Sequence, residues 1–280
     1  MLDEKEDREQ LQYHFKKWCV RVVKCSIIED YFNKQAFVLT DEGDGQNIGK
    51  SSWCRFLCPK ELDNYLAEDI GNDKDSRILL CKNFLINLDE LAVLSRKEIN
   101  QLKSYFSKDK INERLPYDRK NSIIPRVASF IGSTNMSTFL QDETGSVRWL
   151  CFVVKKIDWS YKLDFNIDNL WSQAYCLSKD KTFDETMNFE DIKKNEERND
   201  KFQITTPEKD FLNKFFEVAT KIEESEFLNS SDVLNYIKLH ISSGISLNHI
   251  AMGKALKSSG HKRVKNNGLY GYWVKKKPII

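Results

Sequence analysis

The short run Ala36-Phe-Val-Leu-Thr40 leads directly into Gly43-Asp-Gly-Gln-Asn-Ile-Gly-Lys-Ser51, and this juncture constrains the chain more than any other stretch. An apolar run of this length reads as a buried parallel strand. A glycine loop between such a strand and a helix presents backbone N–H groups and the positive end of the helix dipole to a phosphate. Gly49-Lys-Ser51 supplies the end of that device: Lys50 would reach the β and γ phosphates of ATP, and the Ser51 hydroxyl would bind Mg²⁺. Gly45, Gln46, Asn47, Ile48, Gly49, Lys50, Ser51 and Ser52 are therefore the expected nucleotide contacts. Asp44 stands where the usual pattern has its first glycine, with Gly43 and Gly45 on either side.

Two further runs end in polar groups. Phe84-Leu-Ile-Asn-Leu-Asp-Glu90 reads as a strand whose terminal acids divide the chemistry, Asp89 holding Mg²⁺ and Glu90 orienting or deprotonating the attacking water. Arg126-Val-Ala-Ser-Phe-Ile-Gly-Ser-Thr-Asn135 reads as a third strand, with Asn135 placed to hydrogen-bond the γ phosphate or the lytic water. Between them, residues 95–106 have helical period, with Ser95 as cap and Glu98 at the capping-box position. Buried strands with polar carboxyl ends, separated by helices, define an open α/β sheet of the P-loop NTPase type that binds ligand along that edge.

Around this core the sequence predicts an N-terminal helical segment (1–34), the core itself (35–157), a helical lid or linker (158–225) and a basic C-terminal module (226–280). Apolar residues at Leu11, Phe15, Trp18, Cys19, Val22 and Val23 mark one helical face, and later helices are expected at 167–177, 189–199 and 208–221. The last segment reads as helices 230–241 and 246–258, then an Asn266-Asn267-Gly268 turn and a strand at Tyr270–Val274, a winged helix-turn-helix pattern. On its second helix Lys254 and Lys257 should face outward, with Ile250, Met252 or Ala255, and Leu256 inward. The net charge of +2 hides an asymmetry: no acid follows Asp232, whereas Lys238, Lys254, Lys257, Lys262, Arg263, Lys265 and Lys275 to Lys277 do. Such an excess is the electrostatic footprint of a polyanion such as DNA.

No window approaches the roughly 18 consecutive apolar residues of a membrane span. The charged first residues carry no secretory signal, so a cytoplasmic location without membrane contact is expected. The seven cysteines are odd in number and sit in apolar contexts, which predicts free thiols, and the four histidines show no spacing that would complete a zinc site.

From Asp41 to Phe152 the chain closely resembles the virulence-associated protein E family. The stretches that carry the likeness are Gly49-Lys-Ser with Arg55-Phe-Leu-Cys-Pro59, Leu88-Asp-Glu-Leu91, Arg114-Leu-Pro-Tyr-Asp118, Gly132-Ser-Thr-Asn135 and Asp142-Glu-Thr-Gly-Ser-Val-Arg-Trp149. The resemblance implies a P-loop ATPase of phages, plasmids and conjugative elements, similar to superfamily 3 helicases and often encoded beside a primase. It further implies a ring-shaped homo-oligomer in which an arginine of one subunit completes the site of the next, with Arg148 the first choice and Arg126 the second. Val147 stands where a second arginine is common. Lys108, Lys110, Arg119 and Lys120 fall where such helicases carry a basic hairpin facing single-stranded DNA. Duplex contact is expected from Lys254, Lys257, Lys262, Arg263 and Lys265. The expected activity is ATP-driven DNA motion; the alternative is a DNA-binding regulator that nucleotide switches without translocation.

Overall fold

Apolar strands recur through the first two hundred residues at intervals long enough for a helical return, and this spacing sets the architecture. The computed structural model describes residues 5–41, 48–71, 73–89, 91, 96–115, 117–140, 146–219, 225–241 and 244–278. The chain forms two compact units, Met1–Gln203 and Ile204–Ile280.

In the first unit α1 (Lys5–Ile27) precedes β1 (Ala36–Thr40) and α2 (Lys50–Phe56), followed by a 3₁₀ segment at Lys60–Tyr65 and β2 (Leu66–Glu68). Next come α3 (Lys74–Lys82), β3 (Leu85–Leu88), α4 (Arg96–Phe106), a hairpin of β4 (Lys110–Glu113) and β5 (Ser122–Pro125), and β6 (Ser129–Ser133). The unit closes with β7 (Trp149–Val153), α5 (Tyr161–Asp164), α6 (Ile167–Lys179), α7 (Phe189–Asn199) and a 3₁₀ turn at Asp200–Phe202.

The main sheet has the order β2-β3-β6-β1-β7, with every neighbouring pair parallel. Its strands alternate between two apolar layers. Ala36, Val38, Ile86, Phe130, Trp149 and Cys151 pack with Ile99, Leu102 and Phe106 of α4. Phe37, Leu39, Leu85, Ile131, Leu150 and Phe152 pack with Trp18, Val22 and Val23 of α1 and with Trp171 and Ala174 of α6. Covering both faces is why these strands read as unbroken apolar runs rather than as alternating ones. After β1 the chain goes to the far edge and returns through β3 and β6, then crosses to β7 on the other side. The carboxyl end of β1 is thus a topological switch point, where open α/β sheets bind ligands.

Gly132 lets β3 and β6 come together: a Cβ there would stand 2.7 Å from the Leu88 carbonyl oxygen. Among the described residues no helix is long and apolar enough to cross a membrane.

The second unit contains α8 (Pro207–Phe215), β8 (Phe216–Val218), β9 (Glu226–Leu228), α9 (Ser230–Leu239), α10 (His249–Ser258), β10 (Arg263–Asn266) and β11 (Leu269–Lys276). The expected helix 208–221 is corrected here, because it ends at Phe215 and Phe216–Val218 pairs as a strand with Val274, Lys275 and Lys276. An aromatic and a β-branched residue suit that half-buried sheet better than a helix end. The anticipated 158–225 segment is divided, with α5–α7 in the first unit and α8 in the second. Asn267 (φ 48°) and Gly268 (φ 83°) make the tight turn between β10 and β11, as the Asn-Asn-Gly sequence requires. Met252, Ala255 and Leu256 of α10 are buried with Val233, Ile237 and Val274. Ile250, expected inward, is instead 62% exposed, because it lies on the first turn of α10 away from that core.

Candidate functional site

Three strand ends meet along the carboxyl edge of the main sheet. Asp41 follows β1, Asp89 follows β3, and Ser133 closes β6 with Thr134 and Asn135 just beyond. Lys50, the first residue of α2, points back at them. Its ammonium donates to the Asp41 carboxylate, both side chains being 4% exposed, and to Asn135 Oδ1 at 2.8 Å. Ser51 Oγ donates to Asp89 Oδ1 at 2.7 Å, and Ser133 Oγ reaches the same oxygen at 2.8 Å. Arg55, one turn on along α2, donates from Nη2 to Asp89 Oδ2 at 3.0 Å and from Nε to Glu68 Oε1 at 2.7 Å.

The electrostatics follow from these contacts. Partial burial pushes the Asp89 carboxyl up, but hydrogen bonds from Ser51 and Ser133 and the Arg55 charge outweigh it, so its pKa lies below the usual carboxylate range. Asp89 is therefore an anion at neutral pH. A hydroxyl and a carboxylate oxygen side by side suit a hard divalent cation of the Mg²⁺ kind, which takes one or two protein ligands and completes its shell with water and phosphate oxygens. Among the described residues no cluster of three or more His, Cys, Asp or Glu side chains offers a richer metal cage.

Lys50, Ser51, Asp89, Ser133 and Asn135 line a cleft of about 410 Å³ together with Ile48, Gly49, Ser52, Thr134 and Trp159. Gly49 adopts φ 94°, which favours glycine, and a Cβ at that position would lie 2.7 Å from the Trp159 ring. Gly45, Gln46, Asn47 and Glu90, four of the expected contacts, lie outside the described residues, as does Asp142.

The two arginines differ. Arg126 is fully buried, donating from Nε to Ala128 O at 2.9 Å, from Nη1 to Tyr105 O at 2.9 Å and Phe106 O at 3.0 Å, and from Nη2 to Asn33 O at 2.6 Å. That is a correction: a guanidinium wholly occupied in tying backbone carbonyls together inside the fold cannot reach into a neighbouring subunit. Arg148 is half-buried, and its Nε donates to Ser107 Oγ at 3.2 Å. It immediately precedes β7, and its carbonyl accepts from Ala36 at the start of β1. It thus sits on the amino edge of the sheet, roughly 13 Å along β1 from the cleft, and does not take part in its own chain's cleft.

The basic stretch after α4 is built on the β4–β5 hairpin. Lys110 lies on β4, and Arg119 and Lys120 lie in the connecting segment, all three exposed. Tyr117 stands fully exposed among them, with φ 68°. Lys108 is half-buried, its ammonium 5.6 Å from the Tyr105 ring centroid. In the second unit Lys254, Lys257, Lys262, Arg263 and Lys265 are all exposed. The first four line a groove of about 990 Å³ between α10 and the β10–β11 hairpin, with Tyr270 and Tyr272.

Sequence reasoning missed Asp41, Ser133, Arg55 as an Asp89 partner, and Trp159. Asp41 had a legible signal, since it is the first polar residue past a buried strand. Ser133 could be inferred only once β6 was known to lie between β1 and β3.

The protein is thus a mixed α/β chain with a parallel sheet and a polar cleft at its carboxyl edge. A family model described as the virulence-associated protein E-like domain matches residues 4–204, and the chain belongs to that family. No curated protein matches the sequence. Solved structures with some likeness in shape include the apo structure of the NrS-1 C-terminal region (305–718), at 12% identity and TM-score 0.47, covering 99% of this chain and 77% of that one. The A-form apo structure of the same region gives 12% identity and TM-score 0.46, with 99% and 77% covered.

Proposed function

We propose that the chain is an ATP-hydrolysing, DNA-binding motor of a mobile element's replication machinery, with the cleft at the carboxyl edge as its P-loop nucleotide site. The observation that carries this reading is the convergence of Lys50, Ser51, Asp89, Ser133 and Asn135, from α2 and two neighbouring strands, on one cleft. In the proposed complex the triphosphate takes Lys50 from Asp41 and Asn135. Ser51 and Asp89 hold Mg²⁺, Asn135 turns to the γ phosphate or the attacking water, and Glu90 activates that water. The cation neutralises charge that develops on the phosphate oxygens; the chain's own groups position and deprotonate the nucleophile.

Arg148, on the opposite edge of the sheet, serves the site of an adjacent subunit in a ring-shaped homo-oligomer. The exposed cations and Tyr117 of the β4–β5 hairpin suit a single strand, where charge follows the phosphates and a ring stacks on bases. The second unit, in which α9 and α10 are followed by a basic hairpin, acts as a winged helix-turn-helix that grips duplex DNA through Lys254, Lys257, Lys262, Arg263 and Lys265. A primase encoded nearby is a further proposed partner. Phosphate release measured with and without single-stranded DNA tests the reading. Stimulation supports a motor, whereas ATP binding with slow turnover that DNA does not change would favour the nucleotide-switched regulator.

A further inference from the structure

The cleft has two dissimilar ends. Asp89 and Ser133 stand at the ends of β3 and β6, and Trp159, from the segment that follows β7, lines the cleft beside Gly49. A triphosphate whose terminal phosphate meets Asp89 and Asn135 would run past Lys50 and Gly49 toward Trp159, where its nucleoside would lie. The wall there is the Trp159 indole, with the Lys162 ammonium over its ring at 4.7 Å from the centroid. The Trp159 ring stands against Gly49, with its Cζ2 2.7 Å from where a Cβ at that position would be, and remains 47% exposed.

Its setting is fixed from behind. Tyr161 lies nearly parallel to it, at a 25° interplanar angle with centroids 6.2 Å apart, and is itself packed edge-on against Phe56 of α2 at 4.7 Å. The Asp158 carboxylate accepts from the Ser160 N–H at 3.0 Å and turns the segment that carries the ring. Asp158 is held ionised by that bond, its pKa lowered.

We propose that Trp159 is the nucleobase platform of this site, stacking on the base of the bound nucleoside triphosphate. Stacking reads area rather than a hydrogen-bond pattern, because every base presents a π face. The site therefore favours purine over pyrimidine triphosphates and discriminates weakly between adenine and guanine. The proposal rests on the phosphate-binding reading of Lys50 and Ser51.

The test measures dissociation constants of Mg²⁺ complexes of ATP, GTP, CTP and the base-free chain inorganic tripolyphosphate. Wild-type protein, Trp159→Ala and Trp159→Phe are compared at one ionic strength. Base–aromatic stacking typically responds to alanine substitution by about tenfold in affinity. Trp159→Ala is expected to weaken ATP and GTP by about that factor with tripolyphosphate unchanged, and Trp159→Phe to keep most of the affinity. In the wild type both purine nucleotides should bind more tightly than CTP, a readout that needs no variant. Equal losses for ATP and tripolyphosphate would show that Trp159 only props Gly49, and no loss for either, or equal wild-type binding of ATP and CTP, would overturn the platform as well. Should the wild type bind neither ATP nor tripolyphosphate, the phosphate-site reading itself fails and the platform with it.

Discussion

Lys50 and Asp41 form an ion pair that is almost entirely enclosed, each side chain 4% exposed. A buried pair of this kind costs desolvation on both partners and survives because each satisfies the other. Lys50→Ala is thus expected to do two things: abolish ATP binding and strip the buried Asp41 carboxylate of its lysine. The second effect should lower unfolding free energy by about 3 to 5 kcal/mol. Asp41→Asn combined with Lys50→Ala should recover much of that stability without recovering ATP binding. Urea unfolding of the single and double variants, run beside nucleotide titrations, separates the effects; equal stability of the two variants would contradict the ion-pair account.

Arg148→Ala should leave nucleotide binding nearly unchanged and lower turnover by about a thousandfold or more, if it completes a neighbouring subunit's site. Mixing Arg148→Ala protein with Glu90→Gln protein should then restore activity, since some subunit junctions carry an intact arginine against an intact Glu90. Turnover of the mixtures, scanned across ratios, is the measurement. Absence of rescue at every ratio would leave Arg148 as a partner of Ser107 and nothing more.

Acid should destabilise the first unit through His14. Burial, reinforced by the Arg198 charge, lowers its pKa to about 4, and neither ring nitrogen has a hydrogen-bond partner among the described residues. The unfolded chain therefore binds a proton near the usual histidine pKa of about 6.5 that the folded chain refuses. Stability is full above that pH and falls as pH drops toward 4, by about 3 kcal/mol from this one group. His14→Phe, placed against Phe152, should flatten that slope in chemical unfolding measured between pH 7 and 4. An unchanged slope would mean that His14 is protonated in the fold.

Neutralising Lys262, Arg263 and Lys265 should flatten the salt dependence of duplex binding by about two to three units of slope, at roughly 0.9 for each phosphate that the protein no longer neutralises. ATP affinity should stay as it was, since these residues belong to the second unit. Fluorescence anisotropy over a salt series checks this, and an unchanged slope would mark the basic surface as merely solvated.

The core strands were legible because both faces of the sheet are covered, which leaves continuous apolar runs such as Ala36–Thr40 that no solvent-facing strand would show. Asp89 was legible for a related reason, since a polar residue at the end of such a run has few places to go but the sheet edge, and Lys50 and Ser51 because a Gly-Lys-Ser sequence after a buried strand marks a helix start that faces phosphate. What stayed hidden depends on which strands become neighbours. Ser133 joins Asp89 only because β6 lies beside β3, and Trp159 reaches Gly49 only through a loop return. Arg126 shows the converse, since the resemblance offered it as second choice for an arginine that completes a neighbouring site, while its hydrogen bonds to backbone carbonyls within the fold account for it fully. The strand Phe216–Val218 was read as helix because its pairing partner, β11, lies more than fifty residues away and leaves no local trace.

The proposed ATP site, the cleft between Lys50 and Asp89, is open to direct measurement. Wild-type and Glu90→Gln proteins should be compared for Mg²⁺-ATP binding by calorimetry and for phosphate release in the same buffer. Both proteins are expected to bind ATP, only the wild type to turn it over, and single-stranded DNA to raise the wild-type rate. Wild-type protein that does not bind Mg²⁺-ATP, or a Glu90→Gln variant that hydrolyses it at the wild-type rate, would contradict the account.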